Sequence, residues 1–264
     1  MISKKRSLGR FIDKLLRRFP LLGKLSASIF GLLELPILEF FRRIDQRFNF
    51  HTMEILSKSL LRGRWGGRVV PLNKNIQISA QFSPTEEIME IISRSNITGV
   101  SYCYCRTIQR ALDKPNCDHP IYTCIHVGFG KSLREIPFKS KNLKRVKKEE
   151  VAKILEECDK RGLVHQLIYF PNPEFYYVIC NCCPCCCVVL NNFLKSGSPQ
   201  MIKSNFIAKT DFSNCKNCGI CEGWCHFGAR VIKKDKLKFE PDFCFGCGIC
   251  VSNCPNNAIT LEKK

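Results

Sequence analysis

No stretch of this sequence stays apolar for long enough to cross a bilayer. Lys24, Glu34, Pro36 and Glu39 interrupt its most hydrophobic region, short of the roughly 20 residues that a spanning helix needs. The N-terminal residues also lack the compact apolar core and small-residue cleavage site of a secretory leader. The expected setting is therefore a reducing cytoplasm, where disulfides are rare and thiols stay free for metal. Serine is too sparse at the start for a mitochondrial transit peptide. A dinucleotide fingerprint, a phosphate loop and a nucleophile with an attendant base are all missing, so no catalytic residue is assigned. Acidic residues are scarce as well: 23 Asp and Glu against 42 Lys and Arg leave a formal charge of +19. That excess favours acidic partners, whether anionic lipid, nucleic acid or an acidic redox protein.

Cysteine is what the chain has in abundance, with 19 residues. Eight form two runs, Cys215-x-x-Cys218-x-x-Cys221-x-x-x-Cys225 and Cys244-x-x-Cys247-x-x-Cys250-x-x-x-Cys254-Pro255. A cubane of four irons and four sulfides needs four thiolates at tetrahedral corners, and one tight turn supplies only three. In a two-cluster arrangement the fourth comes from the other run. The spacing thus assigns Cys215, Cys218, Cys221 and Cys254 to one [4Fe-4S] cluster, and Cys244, Cys247, Cys250 and Cys225 to the other. Zinc sites use two pairs across a longer spacer, not unbroken triplets. A shift of 29 residues superposes the two runs and carries Gly219 onto Gly248 and Ala229 onto Ala258. Val231, Leu237 and Phe239 around the polar Lys233–Lys236 run predict a short hairpin.

On these residues the segment from about Asp211 to Leu261 resembles a bacterial two-[4Fe-4S] ferredoxin. The resemblance implies one-electron transfer. One position departs from the family: His226 follows Cys225 where proline is usual, and it reads as a tolerated surface residue.

Ten of the eleven cysteines upstream are further candidate ligands: Cys103, Cys105, Cys117, Cys124, Cys180, Cys182, Cys183, Cys185, Cys186 and Cys187. Pro184 suits a first helical turn, which would crowd thiols at a helix N-terminus where their pKa falls. Three readings stand: a further Fe–S cluster, structural zinc, or a Cys182-Cys183-Pro184-Cys185 dithiol like the thioredoxin turn. The cluster is favoured, with its ligand subset open. Cys158 falls in register with Val151, Ile154 and Leu155 and reads as core. The Cys103-x-Cys105-Arg106 motif and the Cys180–Cys187 run are similar to the Cys-rich segment ahead of ferredoxin modules in iron–sulfur proteins of anaerobic prokaryotes. That likeness implies iron–sulfur context and no assigned activity.

The fold class expected is α+β, in three parts. Residues 1–75 form a basic amphipathic helical region, with apolar stripes interrupted at Pro20 and Pro36, then a flexible connector at Arg62–Arg68. Trp65 reads as a packing residue. Residues 76–195 form the Cys-rich α+β domain, entered through a helix start at Ser83-Pro84-Thr85-Glu86. A helix over Lys148–Arg161 and two strands, Leu163–Phe170 and Phe175–Cys180, give a loosely winged-helix-like hairpin. Residues 196–210 serve as linker, with a hinge at Ser196–Pro199, and 211–264 as ferredoxin module. The expected function is electron transfer with redox partner proteins. An oxidoreductase reducing a disulfide or small molecule at Cys180–Cys187 is the alternative. A nucleic-acid-binding protein with structural clusters is the weakest reading, since the run Lys139–Lys148 fits a solvated loop. Residues 1–50 could lie on an anionic membrane or pack on the chain's own core, the latter slightly favoured.

Overall fold

The computed structural model describes residues 14–16, 18–48, 52, 55–56, 64–72, 88–94, 98–112, 117–127, 143–171, 176–197 and 201–264. The helix start at 83–86, hinge residues 198–199 and Lys139 and Lys141 fall outside them.

In chain order the long helix α1 (Pro20–Phe48) precedes β1 (Gly66–Val69), α2 (Ile88–Arg94), β2 (Thr98–Tyr102) and α3 (Tyr104–Ala111). Next come β3 (Tyr122–Val127), β4 (Leu143–Arg145), α4 (Lys148–Lys160), β5 (Val164–Tyr169), β6 (Tyr176–Cys182) and α5 (Val188–Ser196). The C-terminal part holds β7 (Met201–Ile202), β8 (Phe206–Thr210), α6 (Ile220–Gly223), β9 (Arg230–Lys233) and β10 (Lys236–Phe239). A short 3-10 turn, α7 (Ile249–Ser252) and β11 (Ile259–Lys263) complete it.

One seven-stranded sheet, ordered β4-β2-β3-β6-β5-β1-β7, carries the Cys-rich domain. Alternation along the strands divides its faces. Ile125, Leu167 and Ile179 point to one side, where α2 (through Ile88, Ile91, Ile92) and α4 (through Val151, Leu155) cover them. Val178, Cys180 and Cys182 point to the other side, which Tyr104 and Ile108 of α3, Val189 and Leu190 of α5, and Leu38 and Phe41 of α1 cover. The β5–β6 hairpin is therefore the centre of a sandwich and not a winged-helix wing. Leu143–Arg145 is an edge strand, with exposed Lys144 and Arg145 discouraging further pairing there.

Three local expectations are corrected. Pro20 opens α1 and Pro36 lies inside it; a missing N–H removes one ladder bond, while the apolar side of the helix continues across it onto the core. Residues 66–69 are not a flexible connector but strand β1, antiparallel to β5. A Cβ at Gly67 would meet the end of the Gln166 side chain, so a larger residue there would require that side chain to move. Residues 201–202 and 206–210 are not loose linker: β7 pairs in parallel with β1, and β8 pairs with β11. Trp65 is buried and its Nε1 donates to the Tyr177 hydroxyl at 3.1 Å.

The C-terminal part has its own core of Phe206, Ala208, Ala229, Val251, Ile259 and Leu261, with β9 and β10 forming the expected hairpin. It is seated on the Cys-rich domain. The ring of Phe245 stacks on Phe227 at 4.2 Å and meets Phe193 of α5 at 4.8 Å. His226 Nε2 lies 2.8 Å from the Gly162 carbonyl, and a Cβ at Gly162 would reach 2.4 Å from the Trp224 ring. His226 is thus a docking residue, not a tolerated surface one; proline in its place has no side-chain donor for that carbonyl.

Candidate metal centres

Four cysteines wall each of two small cavities in the C-terminal part. Cys215, Cys218, Cys221 and Cys254 surround one of about 20 Å³. Cys225, Cys244, Cys247 and Cys250 surround another of about 20 Å³. Each set takes three sulfurs from one loop and its fourth from the other. The two halves also agree in backbone conformation at the 29-residue shift: Asn217 and Gly246, Gly219 and Gly248, and Gly228 and Asn257 all have positive φ. Turning the chain left-handed at these points keeps the loop tight around its cavity. The fourth sulfurs are held alike, with the Ala229 N–H donating to Cys225 Sγ at 3.2 Å and the Ala258 N–H to Cys254 Sγ at 3.3 Å. Such N–H···S bonds stabilise charge on thiolate sulfur.

One residue here carries no signal in the cysteine spacing. Arg230 occupies the repeat position of Ile259, yet it is buried at 1 % exposure. Its Nη1 donates to Thr210 Oγ1 at 2.8 Å and its guanidinium lies 5.0 Å from the Phe239 ring centre. Burial pushes the Cys221 and Cys250 thiols up, the latter to about 11, and the Arg230 charge opposes the shift at both. One cation thus acts on a sulfur of each set. A 29-residue alignment that asks where polar replaces apolar would have found it.

The upstream cysteines fall into two groups. Cys117, Cys183, Cys185 and Cys186 have all their sulfurs within 4.8 Å of one another, including Cys117–Cys183 at 4.0 Å and Cys185–Cys186 at 3.5 Å. The other six, Cys103, Cys105, Cys124, Cys180, Cys182 and Cys187, ring a single cavity. The Cys124–Cys180 link spans 3.9 Å. The ring borders a cavity of about 70 Å³ whose wall also includes Leu38, Trp65 and His126. Burial holds the His126 imidazole down at about 4, so it is neutral near pH 7.

Local structure explains the division. Cys180 and Cys182 share one face of β6 because strand side chains alternate. Cys183 to Cys186 lie beyond the strand end, in a turn held by Asn191 Nδ2, which donates to the Pro184 and Cys185 carbonyls at 2.7 and 3.1 Å. Pro184 therefore sits in this turn and not in the helix. Cys187 is the N-cap of α5, its sulfur accepting from the Leu190 N–H at 3.5 Å. The helix N-terminus by itself would lower the pKa of this thiol. The Cys105 hydrogen bond does pull it down, but contact with Cys182 and burial outweigh that and the net direction is upward. Cys182 and Cys185 belong to different groups, which removes the geometric basis of the dithiol reading. Cys158 is fully buried beside the four-sulfur group, and burial pushes its thiol to about 12, as suits a core residue.

Arg106 lies between the groups, fully buried. Its Nη1 donates to the Pro120 carbonyl at 2.5 Å and to Thr123 Oγ1 at 2.8 Å, and its Nη2 to the Asn181 carbonyl. Among the described residues no carboxylate pairs with it, and its Nε has no partner. Burial would lower its pKa, but the negative charge of Cys103, Cys183 and Cys182 more than offsets this and raises it. The Arg106 cation in turn helps hold Cys183 down at about 4, after the larger effect of the Cys186 hydrogen bond.

The family model of the 4Fe-4S binding domain matches residues 237–260. The PorD component of pyruvate synthase from Methanothermobacter marburgensis is 34% identical over 70 residues, which are 26% of this chain and 78% of that relative. The chain belongs to the 4Fe-4S ferredoxin family. PorD of Methanocaldococcus jannaschii is 42% identical over 57 residues, 20% of this chain and 64% of the relative. One component of the Na(+)-translocating ferredoxin:NAD(+) oxidoreductase complex of Acetobacterium woodii is 44% identical over 48 residues, 18% of this chain and 14% of that component. The likeness to these relatives covers at most 26% of this chain, and the chain spans only 14% of the last relative. Cavities walled by four sulfurs and backed by N–H···S bonds fit the cofactor that this family implies.

Proposed function

We propose that the protein is an electron carrier. In this reading Cys215, Cys218, Cys221 and Cys254 hold one [4Fe-4S] cluster, and Cys244, Cys247, Cys250 and Cys225 a second. When bound, each supplies a one-electron couple. The observation that carries the reading is the pair of crossed-over four-sulfur cavities. The upstream cysteines provide a further metal or redox centre. The Phe227–Phe245–Phe193 stack packs the second ferredoxin loop against α5, which begins at Cys187, so the two regions are in van der Waals continuity. The PorD relatives and the relative from the oxidoreductase complex are named as parts of larger redox assemblies, which supports a protein redox partner here. Anaerobic protein reduced with dithionite is expected to show the EPR spectrum of two interacting cubanes. Cys221→Ser and Cys250→Ser should each remove a different half of that signal; a spectrum without cubane features in the wild type overturns the assignment.

Peripheral contact with anionic lipid is supported by α1. Leu22, Leu25, Ile29, Leu33, Ile37 and Phe40 recur at helical spacing and are all exposed, near exposed Lys14, Arg18, Arg43 and Arg47. No described helix is long and apolar enough to cross a membrane. Burying even two such side chains contributes about 3 kcal/mol or more. The double variant Leu25→Asp/Ile29→Asp should therefore float with phosphatidylserine vesicles at least tenfold less than wild type. Equal flotation of the two proteins would remove the membrane from the proposal.

A further inference from the structure

We infer that the upstream cysteines form two chemically different metal centres, a single tetrahedral ion at Cys117, Cys183, Cys185 and Cys186 and a polynuclear iron–sulfur cluster inside the six-sulfur ring. This deepens the reading above and rests on the Cys-rich domain binding metal. The first argument is size. Four thiolates on one zinc-class ion, with bonds of about 2.3 Å at tetrahedral angles, lie about 3.8 Å apart. The four-sulfur group, at 3.5 and 4.0 Å for two of its pairs and within 4.8 Å for all of them, has that scale. A cubane places each thiolate on a different iron and needs its sulfurs spread around a larger body.

The second argument is the ring. Its cavity is about 70 Å³, against about 20 Å³ for each ferredoxin cavity. Six sulfurs cannot all reach one tetrahedral ion, whereas a cluster can take four of them and leave two as neighbours. The ring also lies on the side of the sheet that α1 and α3 cover, with apolar Leu38 and Trp65 in its wall, and an apolar shell of this kind tunes a redox centre.

The third argument is charge. A guanidinium at 0 % exposure with no described carboxylate needs a negative counter-charge. Arg106 lines the same cavity as Cys103, Cys182 and Cys183, and those sulfurs are the groups in reach that can carry the charge. Thiols bonded only to each other would leave that cation uncompensated; metal-bound thiolates are deprotonated and supply the charge. Arg106 thus serves both centres, and Arg110 braces the loop of the first by donating to the Cys117 and His119 carbonyls.

The full chain, purified without oxygen, is the material for the test, read by zinc and iron analysis with sulfur-edge and zinc-edge absorption spectra. The expected wild type holds one zinc with an all-sulfur shell and iron beyond that of two cubanes. Cys117→Ser and Cys185→Ser should lose the zinc and keep all the iron. Cys124→Ala and Cys180→Ala should lose the extra iron and keep the zinc. The EPR signal of the ferredoxin module, unchanged in all four, reports that the chain is folded and separates this proposal from the electron-carrier reading. Loss of the same metal from both pairs of variants, or a wild type with no metal beyond the two cubanes, overturns it. If either alanine variant fails to fold, Cys105→Ser, at a half-buried ring position, gives the same reading.

Discussion

Replacing Arg106 with Met lowers the thermal midpoint of the anaerobic protein by roughly 10 °C, taking about 3–5 kcal/mol for breaking a buried charge network and about 2–4 °C per kcal/mol in a chain of this size. The side chain is fully buried and ties three segments together: the carbonyl of Pro120, the hydroxyl of Thr123 on β3 and the carbonyl of Asn181 on β6. Met fills much of the volume but donates nothing, so two carbonyls are left unpaired in the interior. The sulfurs of Cys103, Cys182 and Cys183, which share a cavity with Arg106, lose the neighbouring cation at the same time. Behind Asn181 the loss propagates, since its side-chain oxygen lies 2.5 Å from His165 Nδ1 and its amide donates at 2.6 Å to the Thr123 carbonyl. Lys restores the charge but presents a compact ammonium in place of a planar fork, and recovers only part of the loss. A Met variant that melts within about 2 °C of wild type would show that the guanidinium is not holding these segments.

Replacing Arg230 with Ile lowers the reduction potential of the ferredoxin module by roughly 60–130 mV, which is about 1.5–3 kcal/mol for a hydrogen bond to a charged group converted at 59 mV per factor of ten. Reduction adds negative charge to a cluster, so a nearby buried cation favours the reduced form and its loss disfavours it. The substitution copies what the chain already has at Ile259, the repeat position in the other half, so the fold should accept it. Arg230 opposes the upward shift of a thiol in each set, Cys221 in one and Cys250 in the other, and both potentials should move together. An EPR-monitored redox titration reads the change, with Arg230→Lys expected to retain most of the wild-type value. Potentials unmoved by the Ile variant would mean that solvent screens the charge and that Arg230 only packs.

The ferredoxin segment was legible because its constraints are local. Cysteine at every third residue, glycine at 219 and 248 and the 29-residue repeat state the loop geometry in the order in which the residues occur. Cys158 and the Ile88–Ile92 face were legible for a similar reason, since helical spacing alone assigns their direction. The upstream ten were not, because adjacent residues in a strand or turn diverge. Cys182 and Cys183 are neighbours in sequence, but one joins the ring and the other the four-sulfur group with Cys117, a residue 66 positions away. The role of His226 was not legible either, because the carbonyl that it meets belongs to Gly162, 64 residues earlier.

The sequence by itself determined that this chain is rich in thiols and that its C-terminal fifth is a ferredoxin segment carrying two repeated cysteine runs. Spacing along one chain is sufficient information when a turn sets the ligand directions. Only the tertiary structure decided how the other sulfurs are partitioned, which arginines stand among them and where the two domains meet. Those outcomes depend on which strand faces cross and which helices cover them, and a fully buried cation is recognisable only once its surroundings have closed around it.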